Sequence, residues 1–142
     1  MKNNKNWMKN AVIYQILIDR FAGYDLHKEW NQNQFIGGNI KGIIDVLPYL
    51  KNLGVDTLWI SPFYETSAYH GYHVTNFYDV EPQFGSKLDL QRLIDLAHQN
   101  GLKIIADFVP NHVSRHHPFF LEALHDKKSE YVNWFYFSRW PD

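Results

Sequence analysis

The sequence predicts an α/β fold built on a parallel sheet, and two observations carry that prediction. Short apolar runs rich in β-branched residues recur at 11–18, 55–61 and 103–109, as is typical of strands buried inside a sheet. Between them, 40–53 and 86–99 place apolar residues at helical spacing. Strands that alternate with helices in this way lie parallel and are joined by right-handed crossovers.

The first predicted helix has one apolar face and one interruption. Gly54 ends it in the manner of a C-terminal cap. Pro48 removes one backbone hydrogen bond from a helix interior, so we expect a kink there or a helix in two parts. The apolar face comprises Ile40, Ile43, Ile44, Leu47, Leu50 and Leu53.

The second predicted helix begins at a capping signal. Ser86 is followed three residues later by Asp89, which is the spacing of a capping box, and Asn100-Gly101 supplies an end. We expect a polar, aromatic loop before it, at 62–85. The apolar stripe comprises Leu88, Leu93, Leu96 and Ala97, with Ile94 at its edge.

The two ends of the sequence carry weaker patterns. Residues 1–10 form a polar, basic tail. The apolar run 11–18 is too short and too mixed for a signal peptide or a membrane span, so we expect no membrane association and a cytoplasmic protein. At the other end, the pattern predicts a short helix within 116–125 and an aromatic segment at 129–137.

Composition excludes several classes of function. The 142 residues suit one domain, and a net charge of −1 without a basic face argues against nucleic acid as a partner. The absence of cysteine excludes disulfides and thiolate metal sites. Five Trp and nine Tyr favour flat binding surfaces for sugars or bases. The oligomeric state is left open.

Polar side chains follow each predicted strand. Because the carboxyl ends of parallel strands share one edge of a sheet, where such folds place their chemistry, these groups are candidates for a site. Asp19 and Arg20 also admit a structural reading, an ion pair that fixes the rim of the sheet. For the groups after the third strand, the alternative is hydrogen bonds that tie down a loop. The polar groups are Asp19, Arg20, Ser61, Asp107, Asn111 and His112.

The segment 69–73, Tyr-His-Gly-Tyr-His, is a second candidate. Its rings can form a flat-walled pocket for the C–H faces of a carbohydrate, or a plug packed over the sheet. Histidine also binds metals, so a metal-dependent hydrolase on another parallel-sheet fold is an alternative. The spacings match neither H-E-x-x-H nor H-x-H, which disfavours zinc. The histidines concerned are His70, His73, His112, His116 and His117.

Four stretches together resemble the N-terminal part of the catalytic barrel of the alpha-amylase superfamily, glycoside hydrolase family thirteen. They are YQILIDRF at 14–21, the run from GGNIKG to WISP at 37–62, YHGYHVTNFYDVEPQFGS at 69–86, and ADFVPNHVS at 106–114. The last keeps the D-x-x-x-N-H spacing that is best known in the family. The resemblance extends over residues 11–137.

The resemblance implies the first three βα units of a (β/α)8 TIM barrel, a partial catalytic domain over 11–142 that ends at the start of the insertion after the third strand. It implies a glycoside hydrolase that acts with retention on α-1,4-glucan, such as starch or maltooligosaccharides, or on related α-glucosides. The family's catalytic Asp and Glu come from the fourth and fifth strands. We therefore expect no catalytic residue in this chain and no activity from it alone. A non-catalytic carbohydrate-binding fragment is the alternative.

The matching motifs also imply roles for single residues. Tyr72 would stack on the sugar in the subsite before the scissile bond, His112 would hydrogen-bond that sugar, and His70 would line the same subsite. Asp107 would brace the site from the end of the third strand. Arg20 would be structural, at the rim.

One further position implies a metal, and three depart from the family pattern. Asn111 matches the residue that gives its amide oxygen to calcium in many amylases, so calcium is implied in the full-length enzyme. His73 and Asn76 stand where many members have Asp, and so does Asn39 after the paired glycines. We expect His73 and Asn76 to alter the charge and hydrogen bonding of the loop that begins at Tyr69.

Overall fold

The computed structural model describes residues 7–27, 29 and 33–138, which contain five strands and five helices. The strands are β1 (Ile13–Ile16), β2 (Thr57–Ile60), β3 (Tyr64–Thr66), β4 (Val74–Val80) and β5 (Lys103–Ala106). The helices are α1 (Ile18–Phe21), α2 (Ile40–Asp45), α3 (Leu47–Asn52), α4 (Lys87–Gln99) and α5 (Pro118–His125). Of the predicted tail, residues 1–6 lie outside the described residues, and Trp7–Asn10 form a 3-10 helix.

β1, β2 and β5 form a parallel sheet in the order β1-β2-β5, as the alternating pattern predicts. Ile16, Ile60 and Ala106 are in register, so the carboxyl ends of the three strands lie at one edge. The prediction that the third strand is fully buried is wrong. Within the described residues β5 pairs on one side only, and both of its isoleucines are therefore only half-buried.

The segment predicted as a polar loop contains an antiparallel hairpin instead. β3 pairs with β4, with Tyr64 opposite Val80 and Thr66 opposite Val74, and the register shifts between these pairs. The shifts interrupt the two-residue period that marks a strand in a sequence, which is why the hairpin was not predicted. The hairpin gives its connecting loop, residues 67–73, a hydrogen-bonded base.

The first predicted helix is in two parts, as the position of Pro48 led us to expect. α2 ends before Val46 and α3 begins at Leu47, with Pro48 in the first turn, where a missing N–H costs no helical hydrogen bond. Gly54 follows α3 with a φ of +89°. Leu53 was predicted on the apolar face, but it caps the helix and is 54% exposed.

The second predicted helix, α4, begins at the predicted capping box. Ser86 Oγ accepts from the Asp89 N–H at 3.2 Å, and the Asp89 carboxylate accepts from the Ser86 N–H at 2.8 Å. Leu93 and Ala97 are buried as predicted, but Leu88 is 81% exposed. Leu88 lies five residues before Leu93, and a rotation of about 100° per residue turns it away from the core.

The core lies on one face of the sheet. Ile16, Leu58 and Ile60 pack there with the buried residues of α2, α3 and α4. The other face carries more exposed side chains, among them Gln15 and Trp59. No helix in the described ranges combines the length and apolar character needed to cross a membrane.

The C-terminal part of the described chain is an aromatic layer. α5 lies within the predicted range, and the segment after it contains a 3-10 helix at Val132–Trp134. The Phe119 ring stacks on Tyr131 at a centroid distance of 4.2 Å, and Trp134 meets both rings edge-on. Four aromatic residues of this segment therefore contact Phe119 or Phe120 of α5, whereas Tyr136 is exposed; the four are Tyr131, Trp134, Phe135 and Phe137.

Candidate functional site

The end of β1 is tied to the loop before α2 through a buried carboxylate. Asp19 is fully buried, and its carboxylate accepts from the N–H groups of Ile36 and Gly37 at 3.0 and 3.1 Å. The Arg20 guanidinium lies 3.4 Å from this carboxylate and donates to the Gln34 carbonyl at 2.8 Å. The ion pair between Asp19 and Arg20 that the sequence suggests is present. Both side chains also form hydrogen bonds to backbone groups of the loop before α2.

Two neighbouring side chains extend this structural tie. Ser61, at the end of β2, is 2% exposed, and its Oγ accepts from the Ile18 N–H at 3.2 Å. The Arg20 guanidinium lies 4.2 Å from the centre of the Tyr69 ring, a cation–π contact. Arg20 thereby connects the end of β1 to the start of the Tyr-His-Gly-Tyr-His segment.

The end of β5 carries a carboxylate with different partners. Asp107 is half-buried, and its Oδ2 accepts from the Tyr72 hydroxyl at 2.7 Å and from the Trp59 indole N–H at 3.3 Å. Both partners are side chains, one from the 67–73 loop and one from β2. Asp107 therefore fixes the Tyr72 ring at the carboxyl edge of the sheet.

Gly71 shapes the loop that carries these rings. Its φ is +82°, and a Cβ there would collide with the Pro62 carbonyl oxygen, so only glycine fits. Beside it, His70 Nδ1 accepts from the Tyr72 N–H at 3.1 Å, and the two rings stack with centroids 5.9 Å apart. The His73 ring meets His70 edge-on at 4.7 Å.

His112 connects the segment after β5 to this loop. Its Nε2 lies 3.0 Å from the Tyr72 carbonyl oxygen, and because a carbonyl only accepts, Nε2 carries the proton. Nδ1 is then the acceptor that faces the Asn111 amide nitrogen at 3.5 Å. The structure thus brings together five side chains, called here the Tyr72 cluster: Trp59, His70, Tyr72, Asp107 and His112.

Burial and neighbouring charge set the protonation of the cluster. Burial, the hydrogen bond to Asp107 and the charge of Asp107 raise the pKa of Tyr72 to about 12, so the phenol remains a donor at neutral pH. Burial, together with the nearby His73 and His112, lowers the pKa of His70. A neutral His70 keeps Nδ1 able to accept from the Tyr72 backbone.

The cluster offers an aromatic surface and imidazole groups at the edge of the sheet. This combination suits a ligand that has both apolar faces and hydroxyl groups. Asp107 is the carboxylate that contacts these rings in the described part of the chain, and it already accepts two hydrogen bonds. The arrangement is thus equipped to bind and orient a ligand.

The described residues do not complete a metal site. No three His, Cys, Asp or Glu side chains among them come together as a set that could hold an ion. Asn111 is exposed, and its amide nitrogen points to His112. A Ca²⁺ ion takes about six to eight oxygen ligands, of which Asn111 would supply one. Calcium binding by Asn111 stays a prediction.

Trp59 was not among the site residues predicted from the sequence. Its position in the register was nevertheless available as a signal. Trp59 pairs with Ile105, and Asp107 lies two residues further on the same face of the sheet, because side chains alternate along a strand. An indole N–H within reach of that carboxylate follows from this alternation.

Known proteins are similar in sequence to this chain over nearly its whole length. A family model for the alpha amylase catalytic domain matches residues 15–142. Alpha-amylase 2 of Dictyoglomus thermophilum is 44% identical over 133 residues, which cover 92% of this chain and 24% of that protein. Neopullulanase 2 of Thermoactinomyces vulgaris is 37% identical, over 95% of this chain and 25% of that protein.

The three-dimensional arrangement is shared as well. The type III pullulan hydrolase from Thermococcus kodakarensis superposes with a TM-score of 0.85 at 31% identity, over 94% of this chain and 29% of that one. The parallel sheet and its helices are therefore part of a (β/α)8 barrel. The chain spans about a quarter of the length of the curated relatives it matches. On these grounds, the chain belongs to the alpha-amylase family of glycoside hydrolases.

Proposed function

We propose that this chain forms one side of the substrate site of an alpha-amylase-type glycoside hydrolase that acts with retention on α-1,4-glucan or a related α-glucoside. The observation that carries the proposal is the 2.7 Å hydrogen bond between Tyr72 and Asp107, which holds an aromatic ring at the carboxyl edge of the sheet. Relatives named as alpha-amylase and neopullulanase support a glucan as the substrate.

In this proposal the Tyr72 ring is the platform for one sugar. Pyranose rings present C–H faces that pack on aromatic rings, while their hydroxyls need donors and acceptors. His112 Nδ1 has only a 3.5 Å contact to Asn111, so a sugar hydroxyl can replace that contact. His70 has its Nδ1 engaged by the Tyr72 N–H, which leaves the Nε2 proton to donate.

The contribution of the chain itself is binding and orientation. Retaining glycosidases use a nucleophile and an acid/base carboxylate about 5–5.5 Å apart. Asp107 is the carboxylate of the Tyr72 cluster, and its two hydrogen bonds give it a bracing role. We expect the 142-residue chain to bind oligosaccharide without hydrolysing it. Release of reducing sugar from maltotriose by the purified chain would refute this part of the proposal.

Titration calorimetry with maltotriose tests the binding role. Tyr72→Ala should weaken binding at least about ten-fold, or about 1.4 kcal/mol, because the platform is lost. Tyr78→Ala is the matched control, since Tyr78 is 78% exposed on β4 and outside the cluster. The proposal fails if Tyr72→Ala retains wild-type affinity, or if both variants lose affinity equally.

A further inference from the structure

A cavity of about 460 Å³, lined by polar and apolar groups, lies between the 67–73 loop and the segment that leads into α5. The cavity is separate from the contact between Tyr72 and Asp107. His112, however, lines the cavity and is also a member of the Tyr72 cluster. Among the described residues that line it there is neither Asp nor Glu. Its polar lining comprises Ser67, His73, His112, Ser114, Arg115 and His116.

Hydrogen bonds give the cavity a fixed floor. The Ser67 and Ser114 hydroxyls lie 2.9 Å apart, and Ser114 is 4% exposed. The Ser114 N–H donates to the Val74 carbonyl at 2.8 Å, and the His116 N–H donates to Ser114 Oγ at 3.1 Å. The two walls of the cavity are therefore tied together at Ser114.

The lining contains several hydrogen-bond donors and one cationic side chain, Arg115. The Arg115 Nε–H donates to His116 Nε2 at 3.4 Å, so His116 carries its ring proton on Nδ1, and the terminal nitrogens of Arg115 remain to donate. In the described part of the chain, no carboxylate lies within ion-pair distance of Arg115. An exposed guanidinium beside imidazoles, with no carboxylate in the lining, favours an anionic ligand.

We propose that this cavity binds an anionic group, a phosphate ester or a carboxylate, carried on a sugar. Arg115 would form paired N–H···O hydrogen bonds to the anion, with His116 and His73 as further donors. Because His112 borders both sites, a sugar on Tyr72 is the natural carrier of the group. The anion site stands on the cavity alone, whereas the sugar as its carrier rests on the proposed function.

The test follows the histidine ring resonances of the purified protein by NMR at constant ionic strength. Inorganic phosphate, glucose 6-phosphate, glucuronate and glucose are the four probes. We expect glucose 6-phosphate or glucuronate to shift the His73 and His116 signals with at least about ten-fold higher affinity than glucose, because only they place a charge against Arg115. Inorganic phosphate alone should shift the same two signals, even if maltotriose does not bind at Tyr72.

Charge variants provide the second readout. Arg115→Gln should weaken phosphate binding at least about ten-fold, Arg115→Lys should retain most of it, and Arg92→Gln on the exposed side of α4 should have no effect. If inorganic phosphate binds but glucose 6-phosphate binds no more tightly than phosphate does, the site takes a free anion, and the sugar as its carrier is overturned. Absence of phosphate-induced shifts, or unchanged affinity in a folded Arg115→Gln protein, overturns the site.

Discussion

Two aspartates follow parallel strands at the same edge of the sheet, and their partners differ in kind. Asp19, after β1, is 0% exposed and accepts from two backbone N–H groups of the loop before α2. Asp107, after β5, is half-buried and accepts from the side chains of Tyr72 and Trp59. One edge of this parallel sheet therefore holds a carboxylate with backbone partners and a carboxylate with side-chain partners.

The identity of the partner separates the two roles. A carboxylate that satisfies backbone N–H groups fixes the path of the chain, and its burial leaves no surface for a ligand. A carboxylate that orients aromatic and polar side chains in a half-exposed position supports a binding surface. Ser61, which accepts from the Ile18 backbone, belongs with Asp19 by the same criterion.

The largest expected effect is a loss of stability when Asp19, at the end of β1, is replaced. Asp19→Ala removes the acceptor for the buried Ile36 N–H and the half-buried Gly37 N–H, and it removes the carboxylate that faces Arg20, so we expect a loss of about 3–5 kcal/mol in the free energy of unfolding. Asp107→Ala should cost only about 1–1.5 kcal/mol, because its partners are less buried. Urea unfolding measures both.

Asp45→Ala is the control for these two variants. Asp45 is exposed at the end of α2, and we expect a change within about 0.5 kcal/mol. The distinction between the two ends would be lost if Asp107→Ala destabilised the protein as much as Asp19→Ala. It would be sharpened if Asp107→Ala cost little stability but lowered maltotriose affinity.

The second effect tests whether the Asp107 end depends on the geometry of its loop. Gly71 and Gly54 both have positive φ, but a Cβ at Gly71 would meet the Pro62 carbonyl, whereas one at Gly54 meets nothing within 4 Å. We expect Gly54→Ala to cost about 1 kcal/mol, for the backbone conformation alone, and Gly71→Ala about 3 kcal/mol. Urea unfolding of both variants distinguishes the free-energy cost of the steric collision from that of the backbone conformation.

Only Gly71→Ala should also weaken maltotriose binding, because Tyr72 would move away from Asp107 with the loop. Equal costs for the two glycine variants would mean that the loop can shift away from Pro62 without penalty. In that case, the hydrogen bond between Tyr72 and Asp107, and not the shape of the loop, would position the ring.

The three parallel strands and the helix caps of this fold could be predicted from sequence because their signals are local, although the predicted strands at 11–18, 55–61 and 103–109 are longer than the observed ones. The βαβαβ order, the break at Pro48 and the capping box at Ser86 all follow from patterns within a few residues. The β3–β4 hairpin could not, since its shifted register removes the periodic signal. The burial of the third strand could not either, because burial depends on which neighbours a strand pairs with.

The site was predictable in its parts but not in its connections. Tyr72, His112 and Asp107 were all candidates, and the structure joins them through contacts between distant segments. The different roles of Asp19 and Asp107 could not be read from sequence, because both follow an apolar run. What distinguishes them is the loop that reaches each carboxylate, and loop paths are set by tertiary contacts.

The smallest expected effect is a pH dependence confined to the Asp107 end. Burial and the neighbouring His73 and His112 lower the pKa of His70 below its ordinary 6.5. As the pH falls below 6.5, the unfolded chain takes up a proton that the folded chain still excludes, so stability that is present above 6.5 is lost on acidification through the folded pKa. Urea midpoints between pH 7.5 and 5 should therefore fall less in His70→Asn, whose side-chain oxygen can still accept from Tyr72, than in wild type.

His27→Asn, at an exposed position, should follow the wild-type curve. Asp19 is held by backbone groups, and no imidazole lies beside it in the described contacts. If His70→Asn leaves the pH dependence unchanged, His70 is not the source of the acid sensitivity. Buried His117, whose pKa is also lowered by burial, would then be the next residue to replace.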